Sequence, residues 1–220
     1  MTTLDQIRRI FALSTDPQPL PIEIRNVGRD RLPSLFAELG FAKGAEIGVW
    51  KGEFSEKLCF GIPGLQLTCV DCWLSYDAYS DHVWQKRISA AEDEARARLA
   101  PYACTVLKTF SVEAAKQVPD GSLDFVYIDG NHGFEWVVAD LAAWSPKVRE
   151  GGILSGHDYV SFRRKTHLRV IEAIDGWTRA YDINPWFLLG RSKVRPGEIR
   201  DKSRSWLWVN EPTKERDVHV

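Results

Sequence analysis

Apolar and polar positions change rhythm in a regular way along the chain. Leu4, Ile7 and Phe11 share one stripe of a 3.6-residue period and predict a short amphipathic helix. The stretch STDPQPLPIE, with three prolines, breaks it. A second helix is predicted over residues 29–39, closed by Gly40 in a position that favours glycine. From there short apolar runs alternate with helical spacings. The runs predict strands at 45–49, 67–70, 104–108, 123–128 and 152–156. The spacings predict helices at 54–60, 84–99, 112–117 and 134–144. LDFVYI, residues 123–128, is apolar at nearly every position, as a strand covered on both faces must be. A helix at 168–181 follows, and then two strands, 186–189 and 205–209, enclosing a polar, turn-rich segment.

This alternation predicts an α/β fold: a Rossmann-like, doubly wound, mainly parallel sheet of seven strands with helices on both faces. No helix separates the last two strands, so one of them should run antiparallel as the closing strand. Residues 1–40 read as an N-terminal helical segment packing on the core, and 41–220 as the main domain.

Composition narrows the function classes. At 220 residues, 44% apolar and 27% charged, the chain is suited to a globular core. Nine Trp must be buried or must line a pocket. A net charge of −1 gives no global field for nucleic acid or membrane, although residues 161–204 hold 11 Lys/Arg against 5 Asp/Glu. That basic segment reads first as a solvated face and second as a dock for an anionic substrate. The start lacks the apolar core of a signal peptide and no run approaches the roughly 18 residues of a membrane span, so a cytoplasmic protein is expected. Cys69 and Cys72 form a C-x-x-C, but no second ligand pair exists, and reduced thiols are expected.

Chemistry-bearing residues follow the predicted strands. In GAEIGVWKGEFS, Glu46, Gly48 and Gly52 sit at the turn after the first core strand. Glycine there lets the backbone approach a ligand closely. The dinucleotide fingerprint G-x-G-x-x-G is incomplete, which disfavours a nicotinamide dehydrogenase. Asp71 ends the next strand, about 20 residues after Gly52, where an acid can hold ribose hydroxyls. Together they indicate an adenosine-like ligand.

EIGVWKG, VDCW, YIDGNH and GGILSGHDY, taken in order, resemble the successive motifs of class I S-adenosylmethionine-dependent methyltransferases. More narrowly they resemble the methyltransferase 24 group, which is related to macrocin-type sugar O-methyltransferases. The resemblance covers roughly residues 44–159. It implies S-adenosyl-L-methionine as cofactor, with Glu46, Gly48 and Gly52 around its methionine part. It places Asp71 on the ribose with Trp73 nearby, Ser111 near the adenine, and Asp129 beside the donor. It also implies a divalent cation, magnesium, manganese or another. The family's sugar-methylating relatives use acids at positions matching Asp129, His157 and Asp158; His157 departs from that pattern and shifts the expectation away from magnesium.

Asp129 and His132 follow the fourth core strand, and His157 and Asp158 the fifth. If the two strands are neighbours, about 4.8 Å apart, the four residues share one rim. That group could hold the cation, or it could supply the general base through Asp129, His132 or His157. His82, His167 and His219 lack such company. Substrate choice is expected from residues 1–27, from 74–83, or from 160–168 with Arg163, Arg164 and Lys165. The leading reading is O-methylation of a small hydroxylated acceptor such as a sugar or glycoside, with no membrane partner. The alternatives are a nucleic-acid methyltransferase using the basic segment and a non-catalytic cofactor binder. A homo-oligomer is left open.

Overall fold

The computed structural model describes residues 1–76, 85–161 and 168–211. Eight strands form one sheet: β1 (Ile22–Ile24), β2 (Lys43–Ile47), β3 (Gln66–Asp71), β4 (Cys104–Lys108), β5 (Leu123–Ile128), β6 (Val148–Gly156), β7 (Phe187–Leu189) and β8 (Trp206–Val209). Their spatial order is β1-β7-β8-β6-β5-β2-β3-β4. Every neighbouring pair is parallel except β6–β8 and β7–β8, so β8 alone runs against the rest. The expected antiparallel closing strand is therefore present.

The sheet has eight strands rather than seven, because Ile22–Ile24 adds a parallel edge strand beside β7. Ile22 and Ile24 are buried and Glu23 is not. Three residues hidden among prolines are too few to show a period of two, so no strand was legible there.

Helices α1 (Thr3–Ile10), α2 (Leu32–Glu38), α3 (Glu53–Gly61) and α4 (Gln85–Leu99) supply one hydrophobic layer. Helices α5 (Ser111–Ala115), α6 (Phe134–Trp144) and α7 (Val170–Ala180) supply the other. LDFVYI shows why both are needed: Phe125 and Tyr127 join the first layer, Val126 and Ile128 the second. Phe36 of α2 stacks on Phe125 with ring centroids 4.3 Å apart, which ties the N-terminal segment to the middle of the sheet. The Trp content is absorbed mainly by the core: Trp73, Trp144 and Trp206 are among the largest fully buried side chains. All four cysteines are free.

From β2 the chain winds outward through β3 to β4, then returns to place β5 and β6 on the other side of β2. The order therefore reverses between β2 and β5, and a ligand cleft belongs at the carboxyl ends of those strands.

Candidate active site

A cavity of about 370 Å³ opens at that reversal, within the usual size range for a small-molecule site. It is lined by the segments that leave the strands: Gly48 and Trp50 after β2, Asp71–Leu74 from the end of β3, Thr109–Glu113 after β4, and Asp129–Asn131 after β5. Tyr76, Ile88 of α4, and Trp136 and Asp140 of α6 complete the wall.

Gly48 has φ +89°, and a Cβ there would lie 2.1 Å from the Asp129 carbonyl oxygen. The backbones of the two sides of the switch point are thus in near contact, and no other residue fits. Gly52, φ +74°, starts α3 against Ala95 and Leu99 of α4. It shapes the turn but does not line the cavity.

Asp71 organises the cavity wall at the end of β3. The N–H of Trp50 donates to its Oδ2 and the N–H of Trp73 to its Oδ1, each at 2.8 Å. Trp50 and Trp73 both occupy the left-handed backbone region, φ 52° and 44°. One carboxylate therefore braces two strained turns at the cavity wall. Burial pushes the Asp71 pKa up, against the pull of those N–H groups. Trp73 is fully buried and its Nε1–H donates to the Trp50 carbonyl at 2.9 Å.

Glu46 lies on the other face of β2, 2% exposed, where Ser55 of α3 donates to it. Burial raises its pKa to about 8, so it is neutral at pH 7. It supports the floor of the site from behind and does not line the cavity. Ser111 does line it, at the start of α5, and accepts from Trp144 Nε1 at 2.8 Å.

The polar rim lies where β5 and β6 end. These strands are hydrogen-bonded neighbours with Ile128 opposite Gly156, so Asp129 and His157 leave the sheet side by side. His132 Nε2 is 2.9 Å from Asp158 Oδ2 and 3.7 Å from Asp129 Oδ1. His157 Nδ1 is 3.3 Å from Asp158 Oδ2 and 3.7 Å from Asp129 Oδ1. Burial disfavours the His132 imidazolium, but the carboxylates of Asp129 and Asp158 outweigh it and raise the pKa to about 10. The Asp158 carboxyl is buried too, yet His132 and His157 hold it well below the usual carboxylate range.

Asp129, His132 and Asp158 each offer a ligand atom within 4.8 Å of the others. His157 stands beside this set rather than in it, so the histidine that converges with the two acids is His132. Its Nε2 is buried and makes no hydrogen bond of acceptable geometry among the described residues, despite lying close to Asp158. Around a cation bound at about 2.1 Å, adjacent ligand atoms lie roughly 3 Å apart. The His132–Asp158 separation fits that spacing, and an imidazole with two carboxylates fits manganese, iron or zinc better than magnesium.

Sequence reasoning missed Arg29. Its guanidinium donates to Asp129 Oδ2 at 3.1 Å and lies 4.9 Å from the centre of the Phe54 ring. The loop before β8 helps position it, since Asp201 Oδ2 accepts from the Arg29 N–H at 3.1 Å. Nothing local signals a pairing across 100 residues of sequence. Asp140 was also missed, although a lone acid in the apolar helix FEWVVADLAAW was a usable signal. His82, His167, Arg163, Arg164, Lys165 and His219 lie outside the described residues. Three cations of the basic segment are paired: Arg169 with Glu172, Arg191 with Glu198, and Arg204 with Glu23.

A switch-point cavity on this sheet order, with an acid at the end of the strand beside the glycine turn, is where an open α/β sheet holds a ligand with an adenosine-like sugar. The family described as "Methyltransferase domain" (methyltransferase 24) matches residues 45–159, more than half of the chain, and the chain belongs to it. Solved structures share the fold. A protein provisionally assigned as a caffeoyl-CoA O-methyltransferase from Staphylococcus aureus aligns with TM-score 0.59 and 12% identity, over 94% of this chain and 90% of that one. An O-methyltransferase from Bacillus cereus, solved in complex with SAH, aligns with TM-score 0.56 and 15% identity over the same shares. No curated protein sequence matches the chain. No helix among the described residues is long and apolar enough to cross a membrane.

Proposed function

We propose that the protein transfers the methyl group of S-adenosylmethionine to a hydroxyl oxygen of a small polyhydroxylated acceptor, such as a sugar or a natural-product glycoside. The observation that carries this reading is the double position of Asp129. It lines the cavity and also belongs to the polar rim, so a donor in the cavity meets the rim at that residue. Gly48 leaves room for the donor at the switch point. Asp71 faces the ribose with lone pairs beyond those given to Trp50 and Trp73.

The sulfonium donor supplies an activated methyl group, and the protein supplies alignment and charge control. The acceptor oxygen attacks the methyl carbon as the S–C bond breaks, and the hydroxyl proton must leave. Asp129, His132 and Asp158 would hold a divalent cation, which when bound lowers the pKa of a coordinated hydroxyl. His157 lies within reach of the same two acids and is placed to receive the proton. Arg29 fixes the Asp129 carboxylate from the side of the N-terminal segment.

The test is transfer of labelled methyl from S-adenosylmethionine into a panel of sugars, glycosides and phenols, before and after chelation and re-addition of single divalent ions. Label in a hydroxylated product, lost on chelation, supports the reading in full. Transfer that survives chelation removes the cation. Label appearing only in nucleic acid would overturn the acceptor class.

A further inference from the structure

Asp140 is a buried carboxyl that the reaction outlined above does not use. It is 4% exposed, sits in the wall of the cavity, and makes no ion pair among the described residues. Its position follows from helical spacing. Trp136, Asp140 and Trp144 fall at i, i+4 and i+8 of α6, on one face.

The two tryptophans have different tasks. Trp144 is fully buried and donates to the Ser111 oxygen at 2.8 Å. This leaves the Ser111 hydroxyl proton free, and the hydroxyl's influence on the Asp140 carboxyl favours the ionised form. Trp136 lines the cavity among aromatic rings, 5.4 Å from Tyr76 and 6.4 Å from Phe110 between centroids. This end of the cavity therefore offers flat apolar walls, suited to a planar base, with one carboxyl at their edge.

A carboxylate has about four acceptor sites. Burial pushes the Asp140 pKa up to about 7, against the pull of Ser111, so both oxygens act purely as acceptors above that pH. A buried acceptor facing a cavity without a donor is costly unless a ligand provides one.

We propose that Asp140 accepts a hydrogen bond from the exocyclic 6-amino group of the donor's adenine and so makes the site selective for a 6-aminopurine over a 6-oxopurine. The proposal rests on the donor reading above and adds a specificity-determining residue to it. A 6-oxo group would present a second acceptor to the carboxylate, and acceptor against acceptor is what a polar pocket rejects most strongly.

Calorimetry with S-adenosylhomocysteine and S-inosylhomocysteine at about pH 9, where the Asp140 carboxyl is ionised, tests it on the intact chain. The wild type should bind the adenosyl compound at least about tenfold more tightly. Asp140→Asn should reduce the gap to about twofold or reverse it, because the amide can turn its NH2 toward a 6-oxo group. Asp140→Ala should weaken the adenosyl compound and close the gap as well. A purely structural role would lower both affinities together and leave the ratio unchanged. If the wild type binds both compounds equally, or Asp140→Asn keeps the wild-type ratio, Asp140 does not read the amine, while the donor reading stands. If neither compound binds the wild type, both proposals fall.

Discussion

The two halves of the site are built by different means. The donor end is held by backbone. Gly48 packs against the Asp129 carbonyl, and Asp71 binds the N–H groups of Trp50 and Trp73, which lie at the two ends of one helix–strand unit, α3 and β3. The rim is held by side chains arriving from distant parts of the chain: Arg29, Asp129, His132, His157 and Asp158. A backbone-built pocket tolerates little change in shape. A side-chain-built rim can lose a charge and keep its shape. Substitutions at the two ends should therefore fail differently, the first in donor binding and the second in turnover.

Gly48→Val should break the donor end most completely. Its Cβ would meet backbone at 2.1 Å, and φ +89° is strained for any β-branched residue. Affinity for S-adenosylhomocysteine should fall about a hundredfold or more. Retained affinity by calorimetry would remove the switch point from the site.

Asp129→Asn should show the opposite pattern. Turnover should fall on the order of a hundredfold or more, while donor affinity stays within about threefold. Parallel loss of both would mean that the two ends are not separable. Arg29→Met tests the same division more gently. Arg29 supports Asp129 from outside the converging ligand set. Its loss should lower turnover or cation affinity about tenfold, with donor affinity unchanged.

The same division governs what the sequence made legible. Strand and helix order came through because each element carries its own period: 104–108 and 123–128 were predicted at the bounds they occupy. Gly48 and Asp71 were legible because a glycine turn and an acid at the next strand end are local features, and both line the cavity; Glu46 and Gly52 of the same motif do not. Asp129, Asp158 and both histidines were recognised as one rim, since neighbouring strands bring their ends together. Which histidine converges with the acids was not legible. That depends on how the loop between β5 and α6 folds, where the His132 carbonyl accepts from the Arg169 N–H at 2.8 Å. Arg29 was hidden for the same reason, and β1 because three residues cannot display a pattern.

The smallest effect probes the rim's charge. In metal-free protein the His132 pKa of about 10 stands above the ordinary value of 6.5. The imidazolium held between Asp129 and Asp158 therefore stabilises the fold fully below pH 6.5, and that contribution is lost as pH rises toward 10. The stability difference between wild type and His132→Gln should be on the order of 1–2 kcal/mol at pH 6, shrinking steadily by pH 10. Thermal melts of the two proteins in chelator, across that range, measure it. Added manganese or zinc should reverse the slope, because a metal-bound imidazole must be neutral and binding improves as protons are removed. A difference that shrinks with pH in chelator and grows with pH in metal would establish that one imidazole serves both states. A flat difference in both would take His132 out of the rim's electrostatics, leaving the donor end untouched.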